Sequence, residues 1–346
     1  MNPLAKYITL PILQVKISAL FGLALLLFLL IVISMSVGVF SIPVIDLLTG
    51  TLTQQQETVL YSIRLPRVLL AALVGASLAV SGAAMQGLFR NPLADPGLIG
   101  ISSGAAFAVA IVIVLSGGLI TGLFGLYGLS VAAFIGGLLT CLLIFRFAQL
   151  TGSFSVTYML LAGIALNALA FAGTGFLTYM SDDQQLRTFT FWTMGSLASA
   201  LWPSIIVAAT IILPAAFWLS YKARELNILL LGEHEAQHLG VDSERLKRSV
   251  IICTALCVGA AVAVSGIIGF VGLVVPHLIR LTIGPDNRLL IPASALLGAA
   301  LLLAADSFAR LIVSPAEMPV GILTSLIGGP FFLWLLVKQY AGRFGI

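Results

Sequence analysis

Apolar positions along this chain do not alternate; they come in long runs separated by short polar breaks. Ten such runs lie at 17–38, 65–88, 97–116, 126–147, 157–179, 201–220, 249–267, 270–283, 291–311 and 319–337. A helix crossing the hydrocarbon core needs about 20 mostly apolar residues, so each run predicts a spanning helix. The eighth is short, which predicts a tilted or incomplete span. The stretch 118–126 is apolar but Gly-rich and is not assigned. The first run follows Lys6 and Lys16 as a signal peptide would. It exceeds the roughly 7–15 apolar residues of a cleavable signal and lacks a small-x-small cleavage site, so it is read as a retained span. The longest polar interruption, Tyr221 to Ser249, predicts one or two short amphipathic helices at the membrane surface.

Composition agrees with the pattern. Of 346 residues, 60% are apolar and 9% charged, against roughly 25% charged in soluble domains. So few charges cannot cover a wet surface, which excludes a soluble enzyme, a disordered chain and a nucleic-acid binder. The fold class is all-α, a polytopic membrane protein of about ten spans in a single domain, 1–346. Placing the N-terminus inside puts 13 of the 17 Lys and Arg on the inner face. Such a bias predicts that both termini are cytoplasmic. Arg64, Arg67, Arg187 and Arg310 oppose it.

One internal repeat is visible. The segment from Val74 to Gly82 matches that from Val258 to Gly266 at seven of nine positions, and Pro92 and Pro276 share the offset of 184. The copies fall in spans that cross in opposite directions, an inverted plan common among transporters.

Several motifs carry a chemical suggestion. His234-Glu-Ala-Gln-His238 matches the H-E-x-x-H helix of zinc proteases. A third ligand is missing from the pattern beyond His238, and the string sits in a charged loop rather than a span, so it reads as a solvated helix face with no metal. His277, after Pro276, reads as a packed or cavity-lining group. Cys141, Cys253 and Cys257 sit in apolar runs and read as small buried residues. Asp306 is the one clear intramembrane acid, four residues before Arg310, where the two can pair. Such scarcity opposes an ion-coupled secondary carrier, and no phosphate-binding G-x-x-x-x-G-K-[ST] loop is present.

The densest signal begins at Arg64-Leu-Pro-Arg67 and continues through Ser81-Gly-Ala-Ala-Met-Gln-Gly87 and Arg90-Asn-Pro-Leu-Ala-Asp-Pro-Gly97. Prolines and glycine at 92–97 break the helix. Asn91 and Asp95 can satisfy the freed donors, and Ser102 and Gly104 allow close helix packing. Further strings are Gly269-Phe-Val-Gly-Leu-Val-Val-Pro-His-Leu-Ile-Arg280, Ala305-Asp-x-x-Ala-Arg310 and the run from Glu317 to Trp334. Together, from about residue 60 to 340, these resemble the FecCD-type permeases of bacterial ABC importers for iron-siderophore, haem and cobalamin.

That resemblance implies a homodimeric permease of the bacterial inner membrane. Two separate ATPase subunits hold ATP and magnesium, a periplasmic binding protein delivers cargo, and this chain carries no cofactor. The resemblance assigns Leu231, Gly232, Glu233, His234, Glu235, Ala236, His238 and Gly240 to the segment that docks on the ATPase, within the inner loop 221–249. It places an inner gate in Thr151, Ser153 and Ser155, a pore along the fifth span, and a short helix near the outer mouth at Phe191, Trp192 and Met194. Arg64, Arg67 and Arg310 have two readings. One is interfacial snorkelling or pairing, with Asp306 the partner of Arg310. The other is docking of the binding protein through two-pronged carboxylate contacts, which the resemblance supports. Met85 to Phe89, Asp95 to Ile99 and Asp183 to Arg187 resemble haem permeases most. Haem is therefore the favoured cargo, with a ferric siderophore or cobalamin as alternatives.

Overall fold

A computed structural model describes residues 3–38, 40, 42–116, 125–149, 154–313 and 316–344. The described residues form helices joined by turns and short loops, with no strand among them: α1 (Pro3–Ser36), α2 (Val44–Thr49), α3 (Gln54–Phe89), α4 (Ile101–Leu115), α5 (Gly128–Ala148), α6 (Val156–Met180) and α7 (Asp183–Thr193) come first. They are followed by α8 (Trp202–Tyr221), α9 (Ala223–Leu229), α10 (Glu233–His238), α11 (Ser243–Ser265), α12 (Val271–Thr282), α13 (Asn287–Ile312) and α14 (Val320–Phe344). Seven helices are long and apolar enough to span, and α4, α12 and the first part of α14 are shorter apolar helices. These match the ten apolar runs in order, including the short eighth.

The axis of the bundle is α3. Thr53 and Gln56 form a reciprocal cap at its start, supplying partners for two otherwise orphaned backbone donors. The helix extends eleven residues before the apolar run, through a π-helical turn at Leu60–Arg64. Small residues let its neighbours approach closely. A methyl group added to Gly75 would strike the backbone of Gly298 in α13, and one added to Gly82 would strike the carbonyl of Gly272 in α12. Without a hydrophobic force between helices in lipid, such backbone-to-backbone contact is what holds them together.

The two repeat copies face each other. Ser77 in α3 donates to the carbonyl of Cys257 in α11 at 2.9 Å. Glu233 reaches both Arg90, at the end of α3, and Lys247, near the start of α11. The two helices therefore run antiparallel, as the inverted reading requires. Both are followed by breaks. After α3, Asn91 accepts from Leu93 N at 3.0 Å and Asp95 from Gly97 N at 2.6 Å, and the chain makes a 3-10 turn at Pro96–Ile99. After α11, Gly266 at φ 69 and Phe270 at φ 67 reset the direction into α12.

Candidate functional site

The spans differ in how much neighbouring protein covers them. In the apolar window of α3, 78% of residues are buried; in α6, the expected pore helix, 22% are. Tyr158, Ile164, Phe171, Phe176 and Tyr179 stand exposed along α6. A cavity of about 310 Å³ flanks it, lined by Asn167 and Phe171 of α6, by Asp95 and Ser102 beside the first break, and by Phe270 at the second. Ser103 donates to the Asn167 side chain, fixing α4 to α6. Ser155, expected at the inner gate, caps α6 by accepting from Tyr158 N at 3.4 Å. Thr151 and Ser153 lie outside the described residues.

Beyond the far end of α6, Asp182 and Gln185 form a capping box that starts α7. Phe191 is exposed with Arg187 over its ring at 5.7 Å, Trp192 is half-buried, and Met194 caps the helix. The turn after α7 is seated on the second break: Ser196 N donates to Ser265 O at 2.7 Å, and the Trp192 carbonyl abuts Gly266.

Of the outer arginines, Arg64 and Arg67 are buried and Arg310 is largely covered, and the polar groups around all three belong to this chain. Arg67 donates through Nε and Nη2 to Asp306 at 2.9 to 3.1 Å, and through Nη1 to Glu317 at 3.0 Å. Arg310 Nε lies 3.3 Å from the second Asp306 oxygen, and its Nη2 donates to Ser34 Oγ at 2.7 Å. Arg64 donates to the carbonyls of Met35, Ser36 and Phe40. Within the chain, these three guanidinium groups are thus already engaged. Asp306 is 1% exposed, and a buried carboxylate must be compensated by cations close by. The expected Asp306–Arg310 pair is present, but Arg67 is the stronger partner. Its signal in the sequence was the lone intramembrane acid among cations that break the charge bias.

At the opposite end, two short helices fill the polar interruption. In α9, Asn227 donates to Asp286 at 2.6 Å and accepts from Asn287 N at 2.9 Å. Burial pushes the Asp286 carboxyl up, but hydrogen bonds from Arg288 and Asn227 outweigh it and hold the group below the usual carboxylate range. In α10 only Ala236 is buried. Leu231, Glu235, His234 and His238 are exposed, and Gly232 and Gly240 flank the helix at φ 126 and φ 82. The two imidazoles meet edge to face with Nε2 atoms 3.3 Å apart. Zinc-protease chemistry needs a third ligand beside the two histidines, and among the described residues no group of three or more His, Cys, Asp and Glu side chains is placed to hold a metal ion.

Glu233 opens α10 and joins it to the bundle. Its Oε1 lies 3.6 Å from Arg90 and its Oε2 2.5 Å from Lys247. Lys247 is 2% exposed, and its Nζ sits 5.3 Å from the centre of the Phe154 ring. Neither Lys247 nor Phe154 stood out in the sequence. His277 is buried in α12, and its Nδ1 has no hydrogen-bond partner among the described residues. Cys141 and Cys257 are buried and Cys253 is partly so.

Comparison with known proteins places this geometry in a family. The chain is 56% identical to the hemin transport system permease protein HmuU of Yersinia pestis over 284 residues, covering 82% of this chain and 84% of that one. It is 41% identical to the vitamin B12 import system permease protein BtuC of Vibrio cholerae, covering 88% and 93%. A solved ABC transporter of metal-chelate type, inward-facing, superposes with a TM-score of 0.83 at 38% identity, covering 92% of this chain and 98% of that one. The signature of the FecCD transport family spans residues 25–338. Matched over almost its whole length in sequence and over most of it in fold, this chain belongs to the FecCD transport family.

Proposed function

We propose that the chain is the permease subunit of a binding-protein-dependent ABC importer in a bacterial inner membrane, and that its cargo is haem. The observation that carries this reading is the contrast between α3 and α6. One helix is sealed at the centre of the bundle. The other leaves an apolar and aromatic face uncovered beside a cavity, as a pathway for a bulky, largely apolar cargo requires. The 56% identity to a hemin permease supports haem; cobalamin is the second reading, favoured by the vitamin B12 permeases at 41%.

In this assembly two copies of the chain enclose the pathway between their α6 helices. Two ATPase subunits bind ATP and magnesium, and α10 presents its exposed face to them. A pure preparation of this chain then hydrolyses no ATP, and turnover by the chain alone would contradict the assignment. The binding protein docks at the end that holds Arg64, Arg67 and Arg310. Because those cations are already paired, a carboxylate from the partner displaces Glu317, 49% exposed, from Arg67. Glu317→Gln weakens that internal competitor and should tighten docking, most visibly at low ionic strength. Uptake of haem, cobalamin or a ferric siderophore into vesicles holding the full assembly tests the cargo.

A further inference from the structure

Lys247 is an unusual residue to find enclosed. Its side chain is 2% exposed, at the inner end of α11, where water would otherwise be at hand. A buried ammonium is unfavourable unless it is paired, and this one has two partners on different elements. Toward the surface it meets Glu233 Oε2 at 2.5 Å, on the first residue of α10. Toward the bundle it lies over the Phe154 ring at 5.3 Å, within the range of a cation–π contact. Phe154 is itself buried, and its backbone N donates to Glu244 Oε1 at 3.3 Å. Two residues later α6 begins. The first turns of α11 also hold the end of α5: Arg248 lies 5.8 Å from the ring of Phe145, which packs on Phe154 with centroids 5.8 Å apart.

We infer that Lys247 is the positioning residue that transmits displacement of α10 to the start of α6. This rests on the reading of α10 as the ATPase-facing helix and of Ser155, at the start of α6, as part of the inner gate. Glu233 is the outer contact of the path, Lys247 the enclosed middle and Phe154 the inner contact. A buried residue that touches both moving parts conveys motion because packed interiors do not deform smoothly. Stability alone does not explain the charge. Replacing a buried ion by an apolar group of similar volume is often neutral or stabilising. Glu233 stays solvated when the lysine is gone, with 42% of its side chain exposed and Arg90 nearby. A methionine would therefore fill the site, yet it could not hold Glu233.

The test uses the full chain assembled with its ATPase and binding protein in vesicles, with haem as the probe and ATP hydrolysis measured in parallel. Lys247→Met should leave thermal stability and basal ATP hydrolysis near the parent values while uptake per ATP falls about tenfold, a typical strength of coupling between two sites. Phe154→Leu, which removes the ring, should produce the same defect, and the double variant should be no worse than either single one. Phe154→Trp, which keeps a ring under the ammonium, should retain coupling. If Lys247→Met does not fold, the contrast between Phe154→Leu and Phe154→Trp decides alone. Uptake per ATP unchanged in the variants, or uptake and hydrolysis falling in equal proportion, would overturn the inference. Gly240→Pro, which disrupts the end of α10, separates the two levels. If it abolishes uptake while Lys247→Met does not, only the role of Lys247 fails. If it too leaves uptake intact, α10 is not the coupling helix and the inference falls with that reading.

Discussion

The two charged ends of the bundle use the same side chains in opposite ways. At one end Arg64, Arg67, Asp306 and Arg310 are largely enclosed, and each guanidinium is committed to carboxylates, a serine hydroxyl or backbone carbonyls at the end of α1 and just after it. At the other end Glu233 stays about half solvated while bridging Arg90 and Lys247, and α10 hangs from that bridge with little else buried. The first arrangement is a clamp. Desolvated ion pairs tie α3 to α13, and hydrogen bonds from Arg64 and Arg310 tie α1 to both; they tolerate little rearrangement because any unpaired charge would be left in low dielectric. The second is a hinge. Its solvated groups, Glu233 and Arg90, can exchange with water at small cost, so α10 can shift while Glu233 keeps hold of the enclosed Lys247. A transporter that takes cargo at one face and force at the other fits this division.

Breaking the clamp should have the largest effect. Asp306→Ala leaves Arg67 and Arg310 without their shared acid and should destabilise the folded chain by about 3–5 kcal/mol, the usual cost of orphaning a buried charge. Thermal unfolding in detergent, or the yield of monodisperse protein, measures it. Replacing Arg67 by Met together with Asp306→Leu should recover part of that loss; if the single and double variants are equally unstable, the network is not the source. On the hinge side, Glu233→Gln combined with Lys247→Met, which removes the enclosed ammonium together with its partner, should cost no more than about 1 kcal/mol. It should nevertheless impair ATP-driven uptake. A large stability loss there would erase the contrast between the ends.

The smallest effect concerns pH. The Asp286 carboxyl is held low by Arg288 and Asn227 despite some burial. A group with a depressed folded pKa contributes stability above its unfolded pKa and loses that contribution as pH falls through the folded value. Local protection of α9 amides against hydrogen exchange should therefore be constant at neutral pH and decline only below about pH 4. Asp286→Asn should remove this pH dependence, at less than about 1 kcal/mol because the side chain is partly exposed.

Most of the architecture was legible because membrane spans announce themselves as long apolar runs, and all ten runs became helices. What escaped notice depends on tertiary contact. The polar stretch Gln54–Arg64 does not look like part of a span, yet it continues α3 outward through its cap and π-helical turn. Arg67 was visible as an exception to the charge bias, but its partner lies 239 positions away. Lys247 was hidden for the opposite reason. It sits in a charge-rich loop where lysines are ordinarily solvated, and only the fold shows that this one is enclosed. The resemblance pointed to α6 and α10. The uncovered face of one and the exposed surface of the other are properties of packing that no local pattern encodes.

The central claim is that this chain opens a path for haem along α6 under force applied at α10. It is tested most directly by haem uptake into vesicles that contain the chain, its ATPase and its binding protein, followed with ATP and with a non-hydrolysable analogue. The account predicts uptake with ATP, none with the analogue, and little when cobalamin replaces haem. Transport of cobalamin without haem would contradict the cargo assignment, and uptake that proceeds with the analogue as it does with ATP would contradict the importer itself.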